Sequence, residues 1–209
     1  FGTIAATGAN AAIVHYQPSE QQSSVLVKDN VLLIDSGAQY YDGTTDVTRT
    51  IALGNPSDEI KKAFTYVLKA HIALATACFP EGTPGQALDA VARSRLWTYG
   101  MDYAHGTGHG VGHFSNVHEG PFAISPAGVA PVYQNYVTSD EPGYYKEGAF
   151  GIRIENMIYS VPAGKEGFLK FKNLTLIPID KRLVEKYLLS SEEQGWLNSY
   201  HEEVFSCLA

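Results

Sequence analysis

The chain has 209 residues, 44% hydrophobic and 18% charged, with a formal net charge of −7; this suits one large globular domain with a real core and a terminal extension. The acidic balance argues against a nucleic-acid-binding surface, which needs clustered Lys and Arg, and suits a protein that collects cations. No apolar run approaches the roughly 20 residues of a membrane span, a secretory signal is not expected, and Cys78 and Cys207 follow no metal or redox spacing, so two free thiols and a reducing, cytoplasmic compartment are expected.

The chain opens with Phe1 in what already reads as structure, as if inside a longer protein. Residues 1–16 close on the extended run Ala11-Ala12-Ile13-Val14-His15-Tyr16, and 17–24, polar and containing Pro18, reads as a loop. Val31-Leu32-Leu33-Ile34 is a short continuous apolar run typical of a buried strand, and it delivers Asp35 at its end. Asp42-Gly43 signals a turn, and Val47 to Leu53 resumes as a strand, carrying Asp46 and Arg49; a hairpin with two aspartates inside it is expected. Ser57 is the expected N-cap of an amphipathic helix to about Ala77, because Ile60, Ala63, Phe64, Val67, Leu68, His71 and Ile72 recur at helical spacing. A second helix, from about Gly85 to Tyr99, is expected to bury Leu88, Val91, Ala92, Leu96 and Trp97 and to close at Gly100.

Residues 119–136 carry Pro121, Pro126 and Pro131 and read as a long irregular connection. Val137 to Tyr145 reads as a strand end and a turn holding Glu141. Gly151 to Ile158 alternates at period 2, which puts Arg153 and Glu155 on one face. Phe168 to Pro178 gives a further strand, and Leu183 to Leu208 a helical, aromatic-rich tail. A hairpin, then helices, then strands, with few strand–helix alternations, predicts an α+β fold. Its domain spans 1–180, with a C-terminal helical extension over 181–209.

Four of the seven histidines, His105, His109, His113 and His118, fall within fourteen residues and are interleaved with glycines. Histidine is the commonest metal ligand and the usual acid or base near neutral pH, and the glycines suggest a backbone that approaches a metal or substrate closely. Asp35 and Asp46 lie in strand-like apolar sequence, where unpaired carboxylates are costly. Each either caps a turn, pairs with Arg49, or shares a cation with the other. A tight turn at Asp42-Gly43 would set Asp46 opposite Gln39 and leave Asp35 four residues further along, too far for a shared metal at about 3.3 Å per residue. The turn must then centre nearer Tyr40-Tyr41, or a bulge must intervene. Glu141 reads either as an exposed turn carboxylate or as a ligand, and Glu155 either as the ion-pair partner of Arg153 or as a ligand. Together with His109 these carboxylates would form an oxygen-rich site suited to Mn²⁺ by ligand softness, with Co²⁺ and Zn²⁺ admitted by their affinity order.

The stretches Asp35-Ser-Gly, Thr45-Asp46-Val-Thr-Arg-Thr50, His105-Gly-Thr-Gly-His109-Gly-Val-Gly, Asn116-Val-His-Glu-Gly-Pro121, Glu141-Pro-Gly-Tyr-Tyr-Lys146 and Gly151-Ile-Arg-Ile-Glu155-Asn resemble the catalytic domain of the Xaa-Pro aminopeptidase (aminopeptidase P) family. The tail motif Trp196-Leu-Asn-Ser-Tyr-His201 is similar to that of its three-domain eukaryotic-type members. The resemblance covers nearly the whole chain. It implies the pita-bread fold, two related α+β halves with a curved antiparallel sheet flanked by helices, around two divalent ions, Mn²⁺ first. Carried over by position, Asp35, Asp46, His109, Glu141 and Glu155 are the implied metal ligands, with Asp46 and Glu155 bridging. Glu141 is also the implied general base. His118 matches the histidine at the scissile carbonyl, His105 a catalytic and substrate-pocket histidine, His15 a pocket histidine, and Arg153 the arginine beside Glu155. The implied reaction removes the N-terminal residue from peptides with proline second, with the full-length protein a homodimer. Family catalytic domains start further upstream, and the N-terminal domains of the three-domain form, which bear on dimerisation and substrate access, are not in this sequence.

Within the same fold, a prolidase acting on dipeptides and a methionine aminopeptidase are the nearest alternatives; the context of His105 to His118 and the tail favour aminopeptidase P. A non-catalytic peptide- or protein-binding module, like the pseudoenzymes of this fold in histone chaperones, would have lost ligands that this chain keeps. A serine hydrolase is disfavoured by the lack of a Gly-x-Ser-x-Gly elbow. His113 has no catalytic counterpart, and His71 and His201 read as surface or core residues.

Overall fold

The computed structural model describes residues 2–20 and 23–208; Phe1, Ala209, and Gln21 and Gln22 of the expected loop lie outside the described residues. Ile4–Thr7 forms a short strand, β1, paired antiparallel with β2 (Asn30–Tyr40), which turns back into β3 (Gly43–Leu53). Between β1 and β2 the expected extended run is replaced by a 3₁₀ turn over Gly8–Ala12. Gly8, at φ +57°, takes the left-handed conformation that starts it.

The first helix, α1, spans Asp58–Ala75, with the Ser57 hydroxyl accepting from the Ile60 N–H at 3.4 Å. It stops just before the expected Ala77, where Ala77 N–H turns to the Leu74 carbonyl and Thr76 Oγ1 to that of Ile72. Ala63, Phe64, Val67, Leu68 and Ile72 face the core, and so does His71. After β4 (Cys78–Pro80) comes α2 (Gly85–Trp97), ended by Gly100 at φ +69°. Here the expected buried face is corrected. Leu88, Ala92 and Leu96 are buried, but Val91 and Trp97 are 36% and 52% exposed, and Asp89 and Arg93 take inward positions instead.

The second half is built from short strands: β5 (Gly108–His109) with β6 (Ala123–Ile124), then β7 (Val137–Asp140), β8 (Gly143–Lys146) with β9 (Phe150–Arg153), β10 (Asn156–Pro162) and β11 (Phe168–Asn173). One sheet runs β1-β2-β3 and another β4-β11-β10-β7, with antiparallel neighbours throughout. The strand expected through Pro178 ends at Asn173, and two 3₁₀ turns precede the last helix, α3 (Ser191–Leu208). The run from Gly151 to Ile158 is not one strand. It breaks at Ile154-Glu155, where the Glu155 N–H leaves its own sheet and donates to the Thr48 carbonyl of β3 at 3.1 Å.

That break forms the seam between the two sheets. Thr50 Oγ1 meets both the carbonyl and the N–H of Arg153, at 3.0 and 3.1 Å. Arg49 is buried, and its guanidinium donates to the carbonyls of Thr48, Glu155, Ile177 and Pro178, to Asn156 Oδ1 and to the Tyr200 hydroxyl of α3. Five donors in a fixed fork answer carbonyls that would otherwise be buried unpaired. Arg49 is therefore occupied at the seam rather than pairing with Asp35 or Asp46.

Candidate metal centre

The site lies where the β2–β3 hairpin, β5, the end of β7 and the 154–155 break converge. Tyr40 pairs with Gly43, so the hairpin turns on Tyr41-Asp42, one residue earlier than the Asp42-Gly43 signal. This sets Gly37 opposite Asp46 and Thr48 opposite Asp35. The two aspartates become diagonal neighbours on one face, within side-chain reach of each other. Oxygens of Asp35, Asp46 and Glu155 lie within 4.8 Å of one another, and so do ligand atoms of His109, Glu141 and Glu155; Glu155 belongs to both groups. A third such group joins Asp46, His109 and His118.

Each side chain is aimed by neighbours. The Glu141 N–H donates to the Thr107 carbonyl at 2.8 Å, and Ser139 Oγ donates to Glu141 Oε1 at 3.1 Å. Thr48 Oγ1 donates to Glu155 Oε2 at 2.7 Å. Arg153 pairs with Asp35 (Nη2 to Oδ2, 2.7 Å), not with Glu155, and also reaches Thr48 Oγ1 and the Tyr145 hydroxyl. His109 donates from Nδ1 to the Gly110 carbonyl at 2.9 Å, which leaves Nε2 as its lone-pair nitrogen.

Burial, and the neighbouring Asp35 charge, push the Asp46 carboxyl up to about 7. Burial and the Asp46 charge, against the pull of Arg153, push Glu141 up to about 8, and burial with Glu141 and Asp46 nearby lifts Glu155 well above the usual range. Burial lowers His109 to about 4, so its ring is neutral at pH 7. Yet its buried Nε2 has no hydrogen-bond partner and sits 3.3 Å from Glu141 Oε1 and 3.6 Å from Asp46 Oδ2. A lone pair facing two carboxylate oxygens at these distances is repulsive unless a carboxyl proton or a metal cation lies between them. Four carboxylates and one imidazole, with Arg153 balancing one carboxylate, are a donor set that fits hard divalent ions.

A cavity of about 590 Å³ opens over this cluster, lined in part by His15, His105, His118 and Arg153. His118 is exposed and packs edge-on to His109, ring centroids 4.2 Å apart. Both nitrogens of His105 are engaged: Nδ1 donates to the Gly106 carbonyl at 2.7 Å and Nε2 accepts from Tyr145 at 2.7 Å, with Tyr145 in turn accepting from Arg153. Burial lowers His105 to about 4 and fixes it as the neutral ring this chain of bonds requires. His113 is exposed beside the hairpin, its carbonyl accepting from Thr44 Oγ1 at 3.4 Å. His201 bonds the backbone of Ile179 and Leu197, away from the cavity.

The glycines of the histidine stretch serve the chain's own packing. A Cβ on Gly108 would stand 2.0 Å from the Ser139 carbonyl oxygen, and one on Gly110 2.3 Å from that of Glu119. Sequence reading also missed the residues that hold this stretch. Buried Arg93 donates to the carbonyls of Tyr103 and His105 and pairs with Asp89 and Asp102; Asp89 accepts from Thr107 Oγ1 at 2.6 Å. An i, i+4 Asp–Arg pair at core positions of a helix was the available signal.

Residues 1–161 match the model of metallopeptidase family M24, and 167–209 match the C-terminal region of peptidase M24. A probable Xaa-Pro aminopeptidase P of Talaromyces marneffei is 51% identical over 98% of this chain and 33% of its own length, and aminopeptidase P2 of Arabidopsis thaliana 51% identical over 98% and 30%. Among solved structures, X-prolyl aminopeptidase from Caenorhabditis elegans, described as a cytosolic enzyme with a di-nuclear active site, matches at TM-score 0.95 and 47% identity over 99% of this chain and 34% of its own. Recombinant prolidase from Thermococcus sibiricus matches at TM-score 0.73 and 37% identity over 84% and 45%. The chain thus spans about a third of the length of the curated relatives it matches. Its helices and antiparallel sheets form the α+β pita-bread fold of these neighbours. By both matches, over nearly its full length, the chain belongs to metallopeptidase family M24.

Proposed function

We propose that the protein carrying this chain is a dinuclear-metal aminopeptidase that hydrolyses the N-terminal Xaa-Pro bond of peptides. The observation that carries this reading is His109 Nε2, unpartnered and aimed between Glu141 and Asp46. In this reading Asp35, Asp46, His109, Glu141 and Glu155 hold two divalent ions, Mn²⁺ first by ligand softness and Co²⁺ or Zn²⁺ next. Glu155, Asp46 and His109 each belong to two of the ligand groups; His109 offers a single lone pair, so Glu155 and Asp46 would be the residues shared between the ions. Such ions acidify water and polarise a carbonyl when bound.

The chain's own residues do the rest. Glu141, within reach of the ligand atoms of His109 and Glu155, would take the proton of the attacking water as a carboxylate and return it to the leaving proline nitrogen. His118, exposed on the cavity wall beside His109, donates to the scissile carbonyl oxygen. His15 and the His105 ring line the pocket for the substrate ends, while Arg153 acts through Asp35 and Tyr145, which it orients. The X–Pro bond lacks an N–H, so no acceptor is needed for it, and the rings of His15, His105 and His118 on the cavity wall suit the apolar proline ring. We assign the 181–209 segment as an extension that supports the 1–180 domain. The whole protein is proposed to be a cytoplasmic homodimer, which mass measurement in solution and cell fractionation would test.

The test is to incubate the whole protein with Mn²⁺ and an Xaa-Pro-Pro peptide, alongside Glu141→Ala and with an Xaa-Pro dipeptide in parallel. The expected result is metal-dependent release of the first residue from the tripeptide, lost in the variant. Metal-independent cleavage, or full activity in Glu141→Ala, would sink the mechanism, and preference for the dipeptide would favour a prolidase.

A further inference from the structure

The proposed mechanism makes no use of His71, although it is one of the least accessible titratable groups in the molecule. Its side chain and that of Asp140 are both 0% exposed. His71 stands on α1, and its Nδ1 lies 3.2 Å from the Asp140 carbonyl oxygen and 3.2 Å from Asp140 Oδ2. A carbonyl only accepts, so Nδ1 carries the proton. His71 Nε2 and both Asp140 carboxylate oxygens have no hydrogen-bond partner. Trp196 of α3 packs against the His71 ring edge-on, centroids 5.8 Å apart. Burying an imidazole and a carboxylate with unpaired atoms is costly, and a well-packed apolar pair would serve stability as well or better. Such a pair calls for another explanation.

The carbonyl His71 grips belongs to the peptide that joins Asp140 to Glu141. The N–H of that same peptide donates to the Thr107 carbonyl at 2.8 Å, and Thr107 is fixed by Asp89. One peptide plane is thus held from both sides, by α1 at its C=O and by the histidine stretch at its N–H. Tilting that plane would swing Glu141 relative to His109 Nε2 and Glu155. We infer that His71 is a positioning residue that sets the aim of Glu141 by clamping the Asp140–Glu141 peptide, with Trp196 holding the ring. The inference rests on the role proposed above for Glu141.

The test compares the whole wild-type protein with His71→Leu, His71→Gln and His71→Asn. Asparagine places an amide donor where Nδ1 stands, whereas glutamine carries its donor further out. If the leucine variant does not fold, glutamine serves as the knock-out. In metal-free protein, exchange of the Glu141 amide hydrogen should speed up at least about 10-fold in the knock-out and stay near wild type in His71→Asn. At saturating Mn²⁺, kcat on an Xaa-Pro-Pro peptide and Mn²⁺ affinity by calorimetry should each fall about 10–100-fold in the knock-out, the usual effect of losing an outer partner of a metal ligand. KM should move less than about 3-fold, and His71→Asn should restore both. Unchanged exchange at Glu141 in the knock-out, or equal loss in the asparagine variant, overturns the clamp. A wild-type protein that neither binds Mn²⁺ nor cleaves the peptide overturns the metallopeptidase reading instead, and the exchange comparison then still decides the clamp.

Discussion

Asp35 stands diagonal to Asp46 across the hairpin, because Gly37 rather than Gln39 lies opposite Asp46. Both carboxylates therefore face the same cavity, and Arg153 neutralises Asp35 while no lysine or arginine pairs with Asp46 among the described residues. Asp46 is the member of the pair held against its own preference, lifted to about 7 by burial and by Asp35. Asp46→Asn should accordingly raise the melting temperature of the metal-free protein at pH 8, where the wild-type group is largely ionised. The same change should lower peptidase activity by more than about 100-fold, beyond what loss of an outer partner costs. Thermal melts with and without Mn²⁺ check both signs; a variant less stable than wild type without metal contradicts the repulsion.

The ligand cluster predicts an unusual pH dependence for the metal-free form. Asp46 and Glu141 have folded values of about 7 and 8, raised from 3.8 and 4.5, so they hold protons that the unfolded chain has lost. Their contribution is fully present below pH 4 and is lost as pH rises through 7 to 8. His105 and His109, lowered from 6.5 to about 4, act oppositely, and their contribution grows between pH 4 and 6.5. Above pH 6.5 only the carboxylate contribution still changes, so metal-free stability should fall from pH 6.5 to 8. Bound Mn²⁺ should reverse the slope, since its ligands must be deprotonated. Denaturant melts at pH 6.5 and 8, with and without Mn²⁺, read this directly.

Much of this was legible in the sequence for a physical reason. Asp35, Asp46 and Glu155 interrupt apolar strand sequence, and a carboxylate there demands a partner whatever the fold. The two helices announced themselves by periodicity and by Ser57 and Gly100 at their ends. Register was not legible: moving the turn one residue moves Asp46 by two positions relative to Asp35, and both turns suit the local residues. Nor was the seam. Whether Arg153 answers Asp35 or Glu155 depends on where β9 breaks, and that is decided by Thr48 and Thr50, a hundred residues earlier. His71 reads in the sequence only as one more residue on a helix face, because the backbone carbonyl it grips carries no sequence signal, whereas Arg93 did carry one in its i, i+4 spacing from Asp89.

Arg93 offers a prediction about the histidine stretch. Its donors reach the carbonyls of Tyr103 and His105, and its partner Asp89 takes the Thr107 hydroxyl. Arg93→Met keeps an unbranched side chain but leaves two carbonyls unpaired and the buried Asp89 carboxylate without its counter-charge. Stability should drop by about 3 kcal/mol or more, the range for breaking a buried ion pair. Because the loop also carries the Thr107 carbonyl that holds Glu141, Mn²⁺ affinity should fall too, by about 10-fold. Calorimetric titration at a temperature where the variant is still folded separates the two effects.

Arg49 should behave differently, although it is just as buried and lies three residues from Asp46. Its guanidinium meets backbone carbonyls, Asn156 and Tyr200, and none of the candidate ligand carboxylates; its links to the site are the backbone carbonyls of Glu155 and Thr48. Arg49→Met would strand the Glu155 and Pro178 carbonyls at the seam, each costing about 1–3 kcal/mol, and would free α3 from β3. Lysine is no substitute, because a single ammonium cannot span the same fork. Both variants should lose at least about 3 kcal/mol of stability, and the protection of α3 amides against hydrogen exchange should fall first, since Tyr200 is the link. Protein that remains folded should keep KM within about 2-fold, because nothing facing the cavity has changed. Equal stability of Arg49→Lys and wild type would show that the seam is held by packing and not by this fork of hydrogen bonds.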